Sequence, residues 1–253
     1  MDKFNPIPTR TGNWAPRLAS WSLRLAIVAV AVAVIGLTLA RYDLIQKLAG
    51  LSALLGGALI AVLALTAGTF GLLAGRKKVN SQRGRALAGM AIGLVYVGFI
   101  ASRPLATGNA PAIHDVTTDL ANPPQFEVLA LRPDNLVGVG SIDNWRKAHA
   151  AAYGRLHSIT LAKSVPDATA SATRLARLAG WKIVVSDPAL GHLEATASVS
   201  YIRFKDDVVV RIVPTADGRQ SRVDMRSVSR VGIGDLGVNA RRIDDFLKAL
   251  AAD

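Results

Sequence analysis

The chain predicts an α+β soluble domain, an antiparallel sheet with its helices on one face in β-α-β4-α order, preceded by three transmembrane helices. Three observations predict it. Leu25–Ala40, Leu48–Gly75 and Ala86–Ser102 carry no charged residue, and a helix needs about 20 apolar residues to cross a bilayer. Beyond Pro111 the composition becomes that of an ordinary soluble domain. Within that half, several short segments alternate apolar and polar residues with the period of a half-buried strand.

The charge follows the same division. Residues 1–110 hold 12 Lys+Arg and 2 Asp+Glu, a net of +10, whereas residues 111–253 hold 18 and 16, a net of +2. The basic excess flanks the apolar stretches, where it anchors spans and sets their direction. A phosphate-binding groove would need that excess on the soluble domain, so nucleic acid is excluded as a partner. The absence of cysteine excludes disulfides, thiolate metal sites and a Cys nucleophile.

In order along the chain, residues 1–24 form a basic leader expected in the cytoplasm. The leader is long for a cleaved signal peptide and two further apolar stretches follow, so the first stretch reads as an anchor. The spans are expected at about 23–41, 48–75 and 86–103, with Trp14, Trp21 and Tyr42 as interfacial aromatics. Lys3, Arg10, Arg17 and Arg24 precede the first span. Arg76, Lys77, Lys78, Arg83 and Arg85 crowd the second loop, while the first loop has Arg41 and Lys47 offset by Asp43. The positive-inside rule then puts leader and second loop in the cytoplasm, and three spans put residues 111–253 outside it, in a periplasm. The expected location is the inner membrane, multi-pass. Gly71 and Gly75, and Gly89 and Gly93, are four apart, a spacing that permits homo-oligomers through Gly-rich spans. No Asp, Glu, Lys, Arg or His lies inside the three uncharged stretches, which argues against a transporter.

Residues 104–150 show no clear period. Asp115 and Asp119 have the character of helix-capping turn residues, and Trp145–Tyr153 of a short helix. His157–Val165 reads as a strand. Pro166–Ala179 reads as a helix stopped by Gly180. Lys182–Ser186 and His192–Phe204 read as strands, then Asp206-Asp207 as a turn. Val208–Pro214 and Gln220–Ser229 form a hairpin about Asp217-Gly218. The last segment sets Leu236, Ile243, Phe246, Leu247 and Leu250 on one helical face. Parity assigns Val208, Val210, Ile212, Val223, Met225, Leu193 and Tyr201 to the core side. It assigns Arg211, Arg222, Asp224, Arg226, Glu194, Thr196 and Ser198 to the other, with Arg211 opposite Asp224. That polar face is either solvated or a shallow binding surface.

The densest polar run is Arg226–Ile243. Arg226, Arg230 and Arg241 can surround an anionic group at the start of the last helix, with Ser227 and Ser229 beside them and Asp235 or Asn239 as its cap. Arg211 and Asp224 complete the candidate ligand-binding set. The structural alternative pairs Asp235 with one of the arginines and locks the strand–helix corner.

Three strings, HDVTTDLANPPQF, GHLEATA with FKDDVVVRI, and VDMRSVSRVGIGDLGVNARRI, resemble the family called domain of unknown function 1499. The resemblance covers about residues 111–250 and extends to members, mostly alphaproteobacterial, that carry spans ahead of the domain. Tyr153-Gly154-Arg155 stands where the family pattern has a Tyr-Pro turn. The resemblance implies fold and location rather than chemistry.

An enzyme needs a nucleophile with a base, paired carboxylates or metal ligands. His114, His149, His157 and His192 lack metal-binding spacing, and Ser227 and Ser229 lack a nucleophile-elbow context. No catalytic residue, cofactor or metal is predicted. The expected function is a non-catalytic periplasmic binding module for a lipid-like or anionic ligand. The alternative is an assembly partner of other envelope proteins, with an enzyme of unknown reaction a weaker third.

Overall fold

The computed structural model describes residues 14–75, 82–107 and 111–253. The chain divides into two compact units, 1–106 and 107–253.

The first unit contains helices α1 (Trp14–Arg41), α2 (Lys47–Ala74) and α3 (Arg83–Thr107). All three are long and apolar enough to cross a membrane. Helix α1 starts at Trp14, so the second half of the predicted leader is helical. Lys3, Arg10, Arg76, Lys77 and Lys78 lie outside the described residues.

Small residues let these helices approach. Helix α1 buries Ala19, Ser22, Ala26, Ala29 and Ala33, and α2 buries Gly57, Ala61, Ala64, Gly68 and Gly71. A Cβ at Gly71 would lie 2.8 Å from the Ala19 backbone nitrogen, one at Gly89 2.5 Å from Ser22, and one at Gly93 3.1 Å from the Ala61 carbonyl. The Ser22 hydroxyl donates to the Ala64 carbonyl at 2.8 Å. Gly71, Gly89 and Gly93, expected to favour self-association, are thus occupied in contacts within one chain.

The second unit adds β1 (Asp115–Thr117), α4 (Ile142–Tyr153), β2 (Ile159–Leu161), α5 (Val165–Leu178), β3 (Lys182–Asp187), β4 (His192–Val199), β5 (Phe204–Pro214), β6 (Ser221–Ser229) and α6 (Val238–Ala252). The predicted strand, helix, four strands, helix order is present as β2 to α6. Its sheet is antiparallel in the order β1-β6-β5-β4-β3, with β2 also on β6. Strand β1 and the start of α4 had no periodic signal in the sequence.

Local chemistry sets the boundaries. Ser164 caps α5 by accepting the Asp167 N–H, and Gly180 ends it at φ 74°. Ser141 caps α4 through the Asn144 N–H. The β5–β6 turn places Gly218 at φ 66°, with its N–H donating to the Thr215 carbonyl.

Helices α5 and α6 cover one face of the sheet. Ala168, Ala172 and Ala176 of α5 and Ile243, Phe246, Leu247 and Leu250 of α6 pack on Leu193, Val208, Val210, Ile212, Val223 and Met225. Alanines on α5 allow its close approach, and each large residue buried here stabilises by roughly 1.5–3 kcal/mol. Trp181 stacks on Phe246 at 4.9 Å.

Two expectations on this sheet are corrected. Strand β4 ends at Val199, and Tyr201 is exposed in a turn where Ser200 and Arg203 both have positive φ. Asp206 and Asp207 are not the turn: they lie inside β5, opposite Ser229 and Val228, and both are buried.

Candidate functional site

The face opposite the helices is covered over most of its area, with Ser198, Arg222 and Arg230 left exposed. An irregular segment, residues 118–135, crosses it and satisfies its charged groups. Glu194 on β4 is fully buried. Its carboxylate accepts the backbone N–H groups of Glu127, Val128 and Leu129, the last at 2.7 Å, and bonds His192 Nε2 at 2.9 Å. Burial pushes this carboxyl up, but those donors outweigh it and hold the group below the usual range.

Arg226 is held the same way. Its Nε and Nη2 donate to the two oxygens of Asp115 at 2.9 and 2.6 Å, and Nη1 donates to the Pro124 carbonyl. Asp115 therefore belongs to a buried pair on β1 rather than to a helix cap. Asn135 Nδ2 bonds the same carboxylate at 2.6 Å. Arg211 lies directly opposite Asp224, as parity predicted. Its Nη2 reaches Asp224 at 2.9 Å, Asp119 at 3.1 Å and the Asn122 carbonyl at 3.0 Å.

A second polar cluster sits under α6. Asn239 is fully buried; its Oδ1 accepts from Ser227 and Arg242, and its Nδ2 donates to Ser229 at 3.0 Å and to the His114 carbonyl at 2.9 Å. Arg242 Nη2 donates to Asp206 at 2.6 Å. Asp235 accepts the N–H groups of Gly237 at 2.9 Å and Asn239 at 2.5 Å, so the start of α6 is capped by its own carboxylate. Burial pushes the Asp235 carboxyl up despite these donors. No Arg–Asp235 ion pair forms among the described residues.

The predicted site residues therefore fall in separate places. Arg226, Arg211 and Asp224 lie under the covering segment; Ser227, Ser229 and Asn239 lie under α6. Arg241 is exposed and donates to the Leu236 carbonyl at 3.3 Å. Arg230 combines a fixed position with access to open hollows, one of which Ser229 also lines, while Arg241 lines a separate one with Tyr153, Arg155 and Lys248.

Arg230 is clamped by Asp207, with Nε at 2.8 Å from Oδ2 and Nη2 at 2.8 Å from Oδ1, and Nη2 also reaches Thr196 Oγ1 at 3.2 Å. Those bonds raise its pKa, against a smaller opposing effect of burial. Nη1 has no hydrogen-bond partner among the described residues, and the side chain is 47% exposed against 8% for Asp207.

Two hollows meet at this guanidinium. One, about 330 Å³, is lined by Leu129, Leu131, Arg132, Val228, Ser229 and Arg230; the other, about 300 Å³, by Leu129, Lys182, Thr196, Ser198, Lys205 and Arg230. Lys182 stands opposite Thr196, and Ser198 opposite Lys205, whose Nζ donates to the Ser198 hydroxyl at 2.7 Å. The result is a cationic, hydroxyl-bearing hollow with an apolar wall. Lys182 and Lys205 were absent from the predicted set, although cross-strand parity with Thr196 and Ser198 carries the signal for both.

No curated protein and no solved structure matches the chain. A family model described as "Protein of unknown function (DUF1499)" matches residues 115–250. That match runs from the Asp115 that holds Arg226 to the buried Leu250 of α6, and the chain belongs to the DUF1499 family.

Proposed function

We propose that the protein is a multi-pass inner-membrane protein with a cytoplasmic N-terminus. Its periplasmic domain acts as a non-catalytic binding module for a ligand with an anionic group and an apolar portion. One observation carries the binding reading: Arg230, fixed by Asp207, faces a hollow whose other cations, Lys182 and Lys205, leave it net positive. A fixed guanidinium presents donors in the geometry that phosphate and carboxylate accept. Leu129, Leu131, Val184 and Val228 supply the apolar wall.

The non-catalytic reading has its own support. Ser227, Ser229, Asp206, Asp115 and His192, five groups of the kinds that act as nucleophiles or bases, are each tied into hydrogen bonds that hold the fold together. The orientation rests on the basic leader and second loop.

Native mass spectrometry of the intact, detergent-purified chain tests the binding reading against Lys182→Glu/Lys205→Glu, a double variant at accessible positions that leaves the core alone. Retention of an anionic lipid or metabolite by the wild type, and its loss from the variant, supports the reading. A clean apo mass, together with capture of other envelope proteins, supports the assembly role instead.

A further inference from the structure

We infer that the loop Gly232–Gly237, with Ile233 and Leu236 at its tip, is a lipid-contact surface that seats the soluble domain on the bilayer. Both side chains are more than half exposed, Ile233 at 53% and Leu236 at 56%. Apolar side chains of that size at a soluble surface call for no explanation singly; here the backbone is built to hold them out. Leu236 has φ 56°, in the left-handed region that a leucine adopts only at a cost, and Gly237 follows at φ 76°. The conformation is fixed from both sides. Asp235 accepts the N–H groups of Gly237 and Asn239, and Arg241 Nη2 donates to the Leu236 carbonyl. Ile233 is packed against Gly138, where a Cβ would collide with its Cγ2. Strain maintained to present an apolar residue to solvent points to a use for that residue.

Chain connectivity names the partner. The loop rests on the first residues of the domain: a Cβ at Gly234 would lie 3.2 Å from Ala112 Cα, and the Asp235 N–H donates to the Ile113 carbonyl at 3.3 Å. Helix α3 ends at Thr107, five residues before Ala112, so the intervening chain spans at most about 18 Å. The loop therefore lies against the point where the chain enters the domain from a helix apolar enough to cross a membrane. Beside the two apolar residues, Arg241 supplies an exposed guanidinium, the pairing of apolar and basic side chains that interfacial membrane anchors use.

The test uses the intact chain in nanodiscs of phosphatidylcholine and phosphatidylglycerol. The sequence has no cysteine, so Leu236→Cys and Ile233→Cys each carry one environment-sensitive fluorophore. Leu190→Cys is the reference: Leu190 is 72% exposed and adjoins Gly191, which contacts Ile212 at the end of β5 remote from Ser229. Blue-shifted emission and several-fold stronger quenching by nitroxide-bearing lipid at 236 and 233 than at 190 is the expected result. Equal quenching at all three positions, or water-like emission at 236 and 233, overturns the inference. A blue shift without lipid quenching also overturns it, because a protein partner or second copy then covers the loop. Ile233→Cys keeps the test decisive if Leu236→Cys fails to fold.

Discussion

Arg226 and Asp115 form a two-pronged ion pair, Nε to Oδ1 at 2.9 Å and Nη2 to Oδ2 at 2.6 Å, with side chains 8% and 2% exposed. The two residues lie 111 positions apart. Their pairing joins β1, the first strand of the domain, to β6 near its end. Around it the covering segment adds the Pro124 carbonyl and the Asn135 amide. Removing one partner strands a buried charge, so Arg226→Ala is expected to cost about 3–5 kcal/mol. Chemical denaturation of the intact chain measures it. The double variant Arg226→Ala/Asp115→Ala should recover part of the loss, because no lone carboxylate then remains.

The acid side of the stability curve should show two contributions. His149 is 1% exposed and its Nε2 accepts the Thr117 N–H at 3.0 Å. Burial holds its pKa below the ordinary 6.5, a neighbouring Asp115 opposing. The unfolded chain therefore takes up this proton first, and stability present above 6.5 falls as pH drops through the folded value. Glu194, also depressed, contributes stability present above its ordinary 4.5 and lost as pH falls through its folded pKa. Midpoint-versus-pH curves check both. His149→Gln should flatten the limb below 6.5, and Glu194→Gln the limb below 4.5.

Asn239 connects three elements through one amide: Ser227 and Ser229 of β6, the His114 carbonyl ahead of β1, and Arg242 of its own helix. Asn239→Ala leaves several of these buried groups unsatisfied. A loss of about 1–3 kcal/mol is expected, read from the same denaturation curves. Asn239→Asp should be worse, since a carboxylate cannot donate to Ser229 or the His114 carbonyl.

The proposed orientation is tested by a reporter fused after Asp253. Activity from a periplasm-dependent reporter is expected, and activity from a cytoplasm-dependent one contradicts the proposal. Reversing the charges of Arg76, Lys77, Lys78, Arg83 and Arg85 should disturb insertion.

Much of this fold was legible because its signals are local and periodic. Uninterrupted apolar runs gave the three long apolar helices, and period 2 gave the faces of β4, β5 and β6, including Arg211 opposite Asp224. The covering segment 118–135 left no such trace. Its role rests on backbone N–H groups of residues 127–129 meeting Glu194, 65 to 67 positions away, and no local pattern records such a contact. Asp206-Asp207 was misread for a related reason. Adjacent acidic residues favour turns in solution, but here each meets an arginine on an opposite face of the sheet: Arg242 beneath α6 and Arg230 at the hollow. The true turn, Ser200–Arg203, uses positive φ without glycine and so lacks the usual marker. For the candidate site, the closeness of Arg230 to the start of the last helix was legible. Its separation from Arg226 and Arg241 required the register and the Asp235 cap.

The most direct test of the binding module is Arg230→Gln, with a thermal melt and a native mass spectrum recorded on the same preparation of the intact chain. Arg230 is 47% exposed but Asp207 only 8%; in this variant Asp207 keeps its Thr196 hydrogen bond at 2.8 Å, and the glutamine amide can replace one arginine donor. The melt should therefore shift by less than the roughly 3–5 kcal/mol of a fully buried pair broken at one partner, while the anionic adduct seen on the wild type disappears. An adduct that survives the substitution, or a large fall in midpoint accompanying its loss, contradicts the account.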